Sequence, residues 1–175
     1  MVRMKDESTV EAGSIAPCPA CGAPLGGRAG CQEAFDTLTA RSFSSAARGA
    51  SHNMLVDVYA LQHPEEYGVS PKSYIRHLYA LGVLLEFPGD ARLYWARPQN
   101  GPPVAAPPKP PLLTSRGRLT VAHALAAGDD HRYQLLVREW AAEVWRAYAP
   151  QHGLYRDYLA AVKAAGPLAL PATRR

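Results

Sequence analysis

Three cysteines constrain this chain more than anything else in it. They stand at Cys18, Cys21 and Cys31, inside one 14-residue stretch, and the rest of the sequence has none. In Cys18-Pro19-Ala20-Cys21-Gly22, two residues separate the first pair of thiols. That spacing lets both sulfurs point into one tetrahedral site, and the following glycine leaves room for a tight turn, as structural zinc sites commonly begin. Clustering of this kind disfavours core cysteines scattered for packing. Three thiols supply three donors, so a zinc ion needs a fourth from elsewhere in the chain.

The candidates for the fourth donor are His52, His63 and His77. Cys31 opens a stretch that reads as a helix to about Arg41, and a second helix is expected from about Ala50 to Gln62. If these two form an antiparallel hairpin, the start of the first lies beside the end of the second, near His63 and away from His52. The two histidines, eleven residues apart on one helical face, would be separated by roughly 16 Å. They cannot bind one ion, so His63 is favoured and His52 is the runner-up. A competing reading is thiol redox chemistry through Cys18 and Cys21, because Cys-Pro-Ala-Cys resembles a glutaredoxin active site. That motif should follow a strand and open a helix. Here its flanks are Ser14-Ile15-Ala16-Pro17 and the glycine-rich Gly22–Gly30.

With 175 residues the chain is long enough to bury a core as one domain with appendages. The longest apolar runs fall short of a membrane span, and the first residues lack the apolar stretch of a signal peptide. Few, clustered cysteines suit a reducing cytoplasm. Charge is uneven: residues 1–66 hold five basic and eight acidic side chains, and residues 67–175 hold fourteen and seven, or −3 against +7. The basic excess is spread out, with Arg116, Arg118, Arg174 and Arg175 in expected loops or tails. Nucleic-acid binding would want a clustered stripe, so it is disfavoured and the excess reads as a solvated surface; the partner is left open, a protein among the candidates. The Gly22–Gly30 loop contains no lysine or threonine and does not read as a phosphate loop.

The pattern along the chain is helical throughout, with no internal repeat and no confident strand. Residues 1–16 read as a disordered tail, 17–31 as the cysteine knuckle, 98–117 as a proline-rich connector, 166–175 as a flexible tail, and 17–165 as a single domain. Phe35, Leu38 and, if the helix reaches it, Phe43 form the buried face of the first helix. Leu55, Val58 and Leu61 or Gln62 recur on the second, which Pro64 should end at His63. Ser70-Pro71 opens a third helix to about Leu85 with Tyr74, Leu78 and Leu81 inward. A short helix is expected near Asp90–Ala96. The segment 98–112 holds seven prolines and should run extended over the surface. Thr120 caps a short helix ended by Gly128. The strongest amphipathic helix follows at about 131–148, with Tyr133, Val137, Trp140, Val144 and Tyr148 on one face. The last is expected at about 154–164. Together these predict an all-α, irregular bundle of about five to seven helices carrying an N-terminal zinc-knuckle-like loop. Asp57, flanked by Val56 and Val58, should be half buried and in need of a partner such as Arg76 or His77.

The chain resembles a family of uncharacterised bacterial proteins known only as a domain of unknown function. The matching residues are Cys18-Pro-Ala-Cys-Gly, Cys31 before Phe35, and His52 ahead of the Val56–Pro64 run, whose Val-Asp-x-Tyr-x-x-Gln-His-Pro pattern is fairly specific. His77-Leu78, Leu84-Leu85-Glu86, Thr120-Val121-Ala122, Trp140 and Trp145 extend the likeness over about residues 17–162. Gln151-His152 departs from the family, whose members tend to carry paired histidines there, so a catalytic role for His152 is disfavoured. The resemblance implies a fold and a set of site residues but no activity. Two functional classes therefore compete with the redox reading. One is a zinc-stabilised helical binding or regulatory module with a structural ion held by Cys18, Cys21, Cys31 and His63. The other is a metal-dependent enzyme in which His52, Asp57, His63 and His77 form or support a site with an open coordination position.

Overall fold

The computed structural model describes residues 15–96 and 105–165. The expectations for residues 1–14, 98–104 and 166–175 fall outside them. Within the described residues the chain is all-α, with no strand; its one β-bridge joins Pro17 to Pro24 across the knuckle.

Two consecutive glycines start the first helix. Gly26 and Gly27 have φ of 78° and 80°, a left-handed geometry open mainly to glycine. This double turn redirects the chain into α1, Gly27–Arg41. The helix begins four residues before the expected Cys31, so Cys31 sits in its second turn. Phe35 and Leu38 are buried as the periodicity requires, but Phe43 is 83 % exposed. It lies past the end of α1, in the turn to the next element, and belongs to no helical face.

Between the first two expected helices the chain forms a short additional helix, α2, Ala46–Ala50, because Ser45 caps it through the Arg48 amide. This is why the described bundle has eight α-helices where five to seven are expected. Next comes α3, His52–Gln62. It is apolar almost all round, and from Asp57 to Gln62 every residue is buried. A helix of that composition belongs in the interior. It packs against α1, α2, the following helix α4, Pro71–Glu86, and α7, Asp130–Ala147. Ser70 and Ser73 form the capping box that starts α4.

Between α4 and α7 lie the short helices α5, Ala91–Tyr94, and α6, Val121–Leu125, with an extended strap from 105 to 119. Ala105, Pro108, Pro111 and Thr114 are the strap's exposed residues up to 114 apart from none between them. Exposure at every third position is the pattern of a polyproline II helix lying on a surface. Its inner edges are tied down: Gln62 donates its amide to the carbonyls of Arg116 and Leu119, and Gln151 donates to that of Pro111. Arg116 answers with bonds to the Gln62 carbonyl and the Glu65 carboxylate.

Helix α7 runs in the same direction as α3. Asp130 at its start accepts from Ser45 and Arg48, and Tyr148 past its end donates to the Leu61 carbonyl. The last helix, α8, His152–Ala164, starts two residues before the expected position and lies against α4. Here Gly82 of α4 makes a close approach possible. A Cβ at that position would stand 2.5 Å from the Tyr155 ring and 2.7 Å from the Trp145 ring. Glycine is a poor helix former, and alanine would gain about 1 kcal/mol of propensity. Overpacking against two held aromatic rings should cost about 1–3 kcal/mol. Gly82→Ala is therefore expected to lower stability in urea unfolding, and a variant more stable than the parent would contradict this packing.

Candidate metal centre

The knuckle is built from its backbone outward. Cys18 donates its amide to the Ala23 carbonyl at 2.8 Å, and Gly22 donates to the Cys18 carbonyl at 2.8 Å. Gly22 has a φ of 77° and turns the loop between the two thiols and Ala23. The Gly27 amide bonds the Ala16 carbonyl, tying the base of the knuckle to the start of α1. Gly30 is required for this seating, since a Cβ there would overlap the Leu25 carbonyl oxygen.

Against this loop comes the C-terminal end of α3. Pro64 ends the helix, and His63, freed from helical geometry at φ −124° and ψ 50°, turns its ring inward. Helices α1 and α3 are antiparallel here, with Cys31 opposite His63 and Phe35 stacked on Tyr59 at 3.9 Å between ring centroids. The expected hairpin thus places its elements as anticipated. Cys18, Cys21, Cys31 and His63 offer donor atoms that all lie within 4.8 Å of one another. The His63 Nε2 is 3.6 Å from the Cys18 sulfur and 3.4 Å from that of Cys31, and Cys21 and Cys31 sulfurs are 3.7 Å apart. Tetrahedral bonds of about 2.3 Å to sulfur and 2.0–2.1 Å to nitrogen put donors about 3.6–3.8 Å apart. Spacing and donor chemistry both fit a single tetrahedral cation.

The surroundings prepare the imidazole for that role. The Nδ1 of His63 lies 2.8 Å from the Tyr59 carbonyl. A ring N–H donated there leaves the Nε2 lone pair facing the sulfurs, the usual outer-shell arrangement for a ligating histidine. The Tyr59 ring stacks on His63 at 4.0 Å, and its hydroxyl lies 3.7 Å from the Cys31 sulfur and 3.4 Å from Gln32 Oε1. Tyr67 donates to the same Gln32 oxygen at 2.8 Å. Cys18, Cys31 and His63 are at most 2 % exposed, whereas Cys21 is only half-buried.

Cys21 and Cys31 shift each other's pKa in opposite directions through their contact. The hydrogen bond from Cys21 brings the Cys31 thiol down to about 4; burial opposes this, and His63 and Tyr59 add to it. The same bond, with burial, pushes Cys21 up. All three cysteines are free thiols, as metal ligation requires.

The model of one protein family matches residues 16–149, a span holding all four donors and the helices that carry them. The chain belongs to DUF5946, a family of unknown function. No curated protein and no solved structure matches it.

The other candidate residues of this DUF5946 protein do not join the cluster. His52 starts α3, at the end opposite His63; its ring faces Phe43 at 5.7 Å, and its Nδ1 is buried without a partner. Asp57 and His77 meet each other instead. The His77 Nδ1 lies 2.9 Å from Asp57 Oδ1, and the Tyr94 hydroxyl donates to Oδ2 at 2.9 Å. Asp57 is 4 % exposed, so these two donors answer the need for a partner, with His77 chosen over Arg76. Arg76 donates to the Tyr94 carbonyl. His52, Asp57, His63 and His77 therefore occupy three separate places and line no common site. No strand precedes Cys18 among the described residues, and α1 opens six residues after Cys21, so the setting expected of a glutaredoxin-like motif is absent there.

Sequence reasoning missed Tyr59, Gln32, Tyr67 and Tyr94. Tyr59 was accessible in principle: it lies one helical turn before His63, and its carbonyl, which already accepts the His63 amide, has a second lone pair for the ring. Tyr94 reaches Asp57 across 37 residues, and no local pattern announces that. Two variants test this geometry. Gly30→Ala should unseat the knuckle and cost about 3 kcal/mol or more in urea unfolding; a neutral alanine would mean the Leu25 carbonyl does not rest there. Tyr94→Phe removes one of two donors to a buried carboxylate and should cost about 1–3 kcal/mol; unchanged stability would contradict the bond.

Proposed function

We propose that residues 17–165 form one zinc-stabilised helical domain that works as a protein-binding or regulatory module. The observation that carries this reading is the convergence of three thiols and one imidazole within 4.8 Å. Three sulfurs and a nitrogen are the donor set of structural zinc sites, and four protein donors leave no coordination position for a substrate. A zinc ion held there would cross-link the knuckle to α1 and α3. The cysteines do the binding as thiolates, and the Tyr59 carbonyl fixes the imidazole for it.

An enzyme reading has less support. It needs the His52, Asp57, His63 and His77 side chains in one cavity, and they are dispersed. Among the described residues no helix is long and apolar enough to cross a membrane. Free thiols beside such a site suit a reducing compartment, and we place the protein in the cytoplasm on that ground. A protein partner is favoured over nucleic acid because the basic excess forms no stripe in the sequence.

The test is elemental analysis of protein purified under reducing conditions without chelator. One zinc per chain is expected, and Cys31→Ser should lose it. The ion's contribution to folding should be at least about 3 kcal/mol, so strong chelation should lower the Tm by about 6–12 °C. A chain that carries no zinc, or whose unfolding ignores chelation, would refute the proposal.

A further inference from the structure

We infer that the cluster is a peroxide-responsive release site, in which oxidation joins Cys21 to Cys31 and frees the zinc. This rests on the zinc reading above and adds its regulation. Three of the four donors are sealed: Cys18, Cys31 and His63 are at most 2 % exposed. Cys21 alone is half-buried, on the rim of the knuckle, beside exposed Pro19 and Gly22. A small neutral oxidant such as hydrogen peroxide therefore meets Cys21 first. The sulfur in hydrogen-bonding contact with it is that of Cys31, 3.7 Å away. Disulfide formation shortens such a contact to about 2.05 Å. Cys21 lies in a loop that turns at Gly22, whereas Cys31 is fixed in α1, so the loop supplies the movement.

The chemistry balances without another reactant. The Cys21 thiolate attacks one peroxide oxygen, giving a sulfenic acid and hydroxide. The Cys31 thiolate then attacks the Cys21 sulfur, forming the S–S bond and expelling a second hydroxide. Two thiolates have lost two electrons, and one peroxide has become two hydroxides. Cys18 and His63 remain as donors, and two ligands do not make a structural zinc site. The product has a further property. Its disulfide spans the knuckle and α1, two of the three elements the metal cross-links, so the fold should outlast the loss of the ion. A bond between Cys18 and Cys21 would stay inside the loop and leave it untethered.

The experiment uses the full chain, its zinc content measured first. Peroxide is added in equimolar amount, zinc release is followed with a chromogenic chelator, and free thiols are alkylated before the disulfides are mapped by mass spectrometry. Expected are one zinc released per chain, a Cys21–Cys31 disulfide, an alkylatable Cys18, and unchanged helical circular dichroism. Dithiothreitol with added zinc should restore the starting state. A dominant Cys18–Cys21 or Cys18–Cys31 bond would overturn the inference. So would sulfinic acid without a disulfide, or zinc retained after Cys21 is oxidised. A chain free of zinc before peroxide is added would instead count against the structural metal itself, so the two failures are distinguishable.

Discussion

The arrangement depends on buried sulfurs and a buried imidazole being aimed at one another. Without a common cation such a cluster gains little. Thiols are weak hydrogen-bonding groups, and Cys18 and Cys31 could be replaced in a core by small apolar residues at no polar cost. Yet the chain spends several specific features to bring these donors together. Gly26 and Gly27 adopt left-handed geometry, Gly30 leaves space for a carbonyl, Pro64 stops α3 one residue before the ring must turn, and the Tyr59 carbonyl selects the tautomer. One tetrahedral ion makes sense of all of them at once.

The cluster also explains why the knuckle is part of the core. Cys18, Ala23 and Cys31 belong to the same apolar cluster as Leu38, Leu61 and the aromatic residues of α4 and α7. The remaining polar contacts at the centre act as pins between elements. Asp57 joins α3 to α4 and α5, while Gln62 and Arg116 hold the proline strap over the end of α3. Residues 57–63 thus serve both ends of the design, one face toward Asp57's partners and the terminus toward the thiol–imidazole cluster.

Much of this was legible from residue spacing. Amphipathic periodicity located α4 and α7 with their inward faces, because those helices bury one side and repeat accordingly, and it placed α8 to within two residues. The hairpin argument led from Cys31 to His63, because an antiparallel pair places one helix start beside the other's end. What was not legible had physical causes. Helix α2 is five residues long and exists through a cap and a contact with α7, so it has no periodicity to read. The start of α1 is hidden in the sequence because the four glycines from Gly22 to Gly30 give it a loop's composition. Phe43 would share the buried face of α1 only if the helix reached it, and the helix ends at Arg41. Tyr94 and Gly82 matter only through residues far away in sequence.

The most direct test of the central claim is X-ray absorption at the zinc edge on the purified full-length chain. It should show three sulfurs at about 2.3 Å and one nitrogen at about 2.0–2.1 Å. A first shell of oxygens and nitrogens, or one with fewer than three sulfurs, would mean that these four side chains do not share an ion.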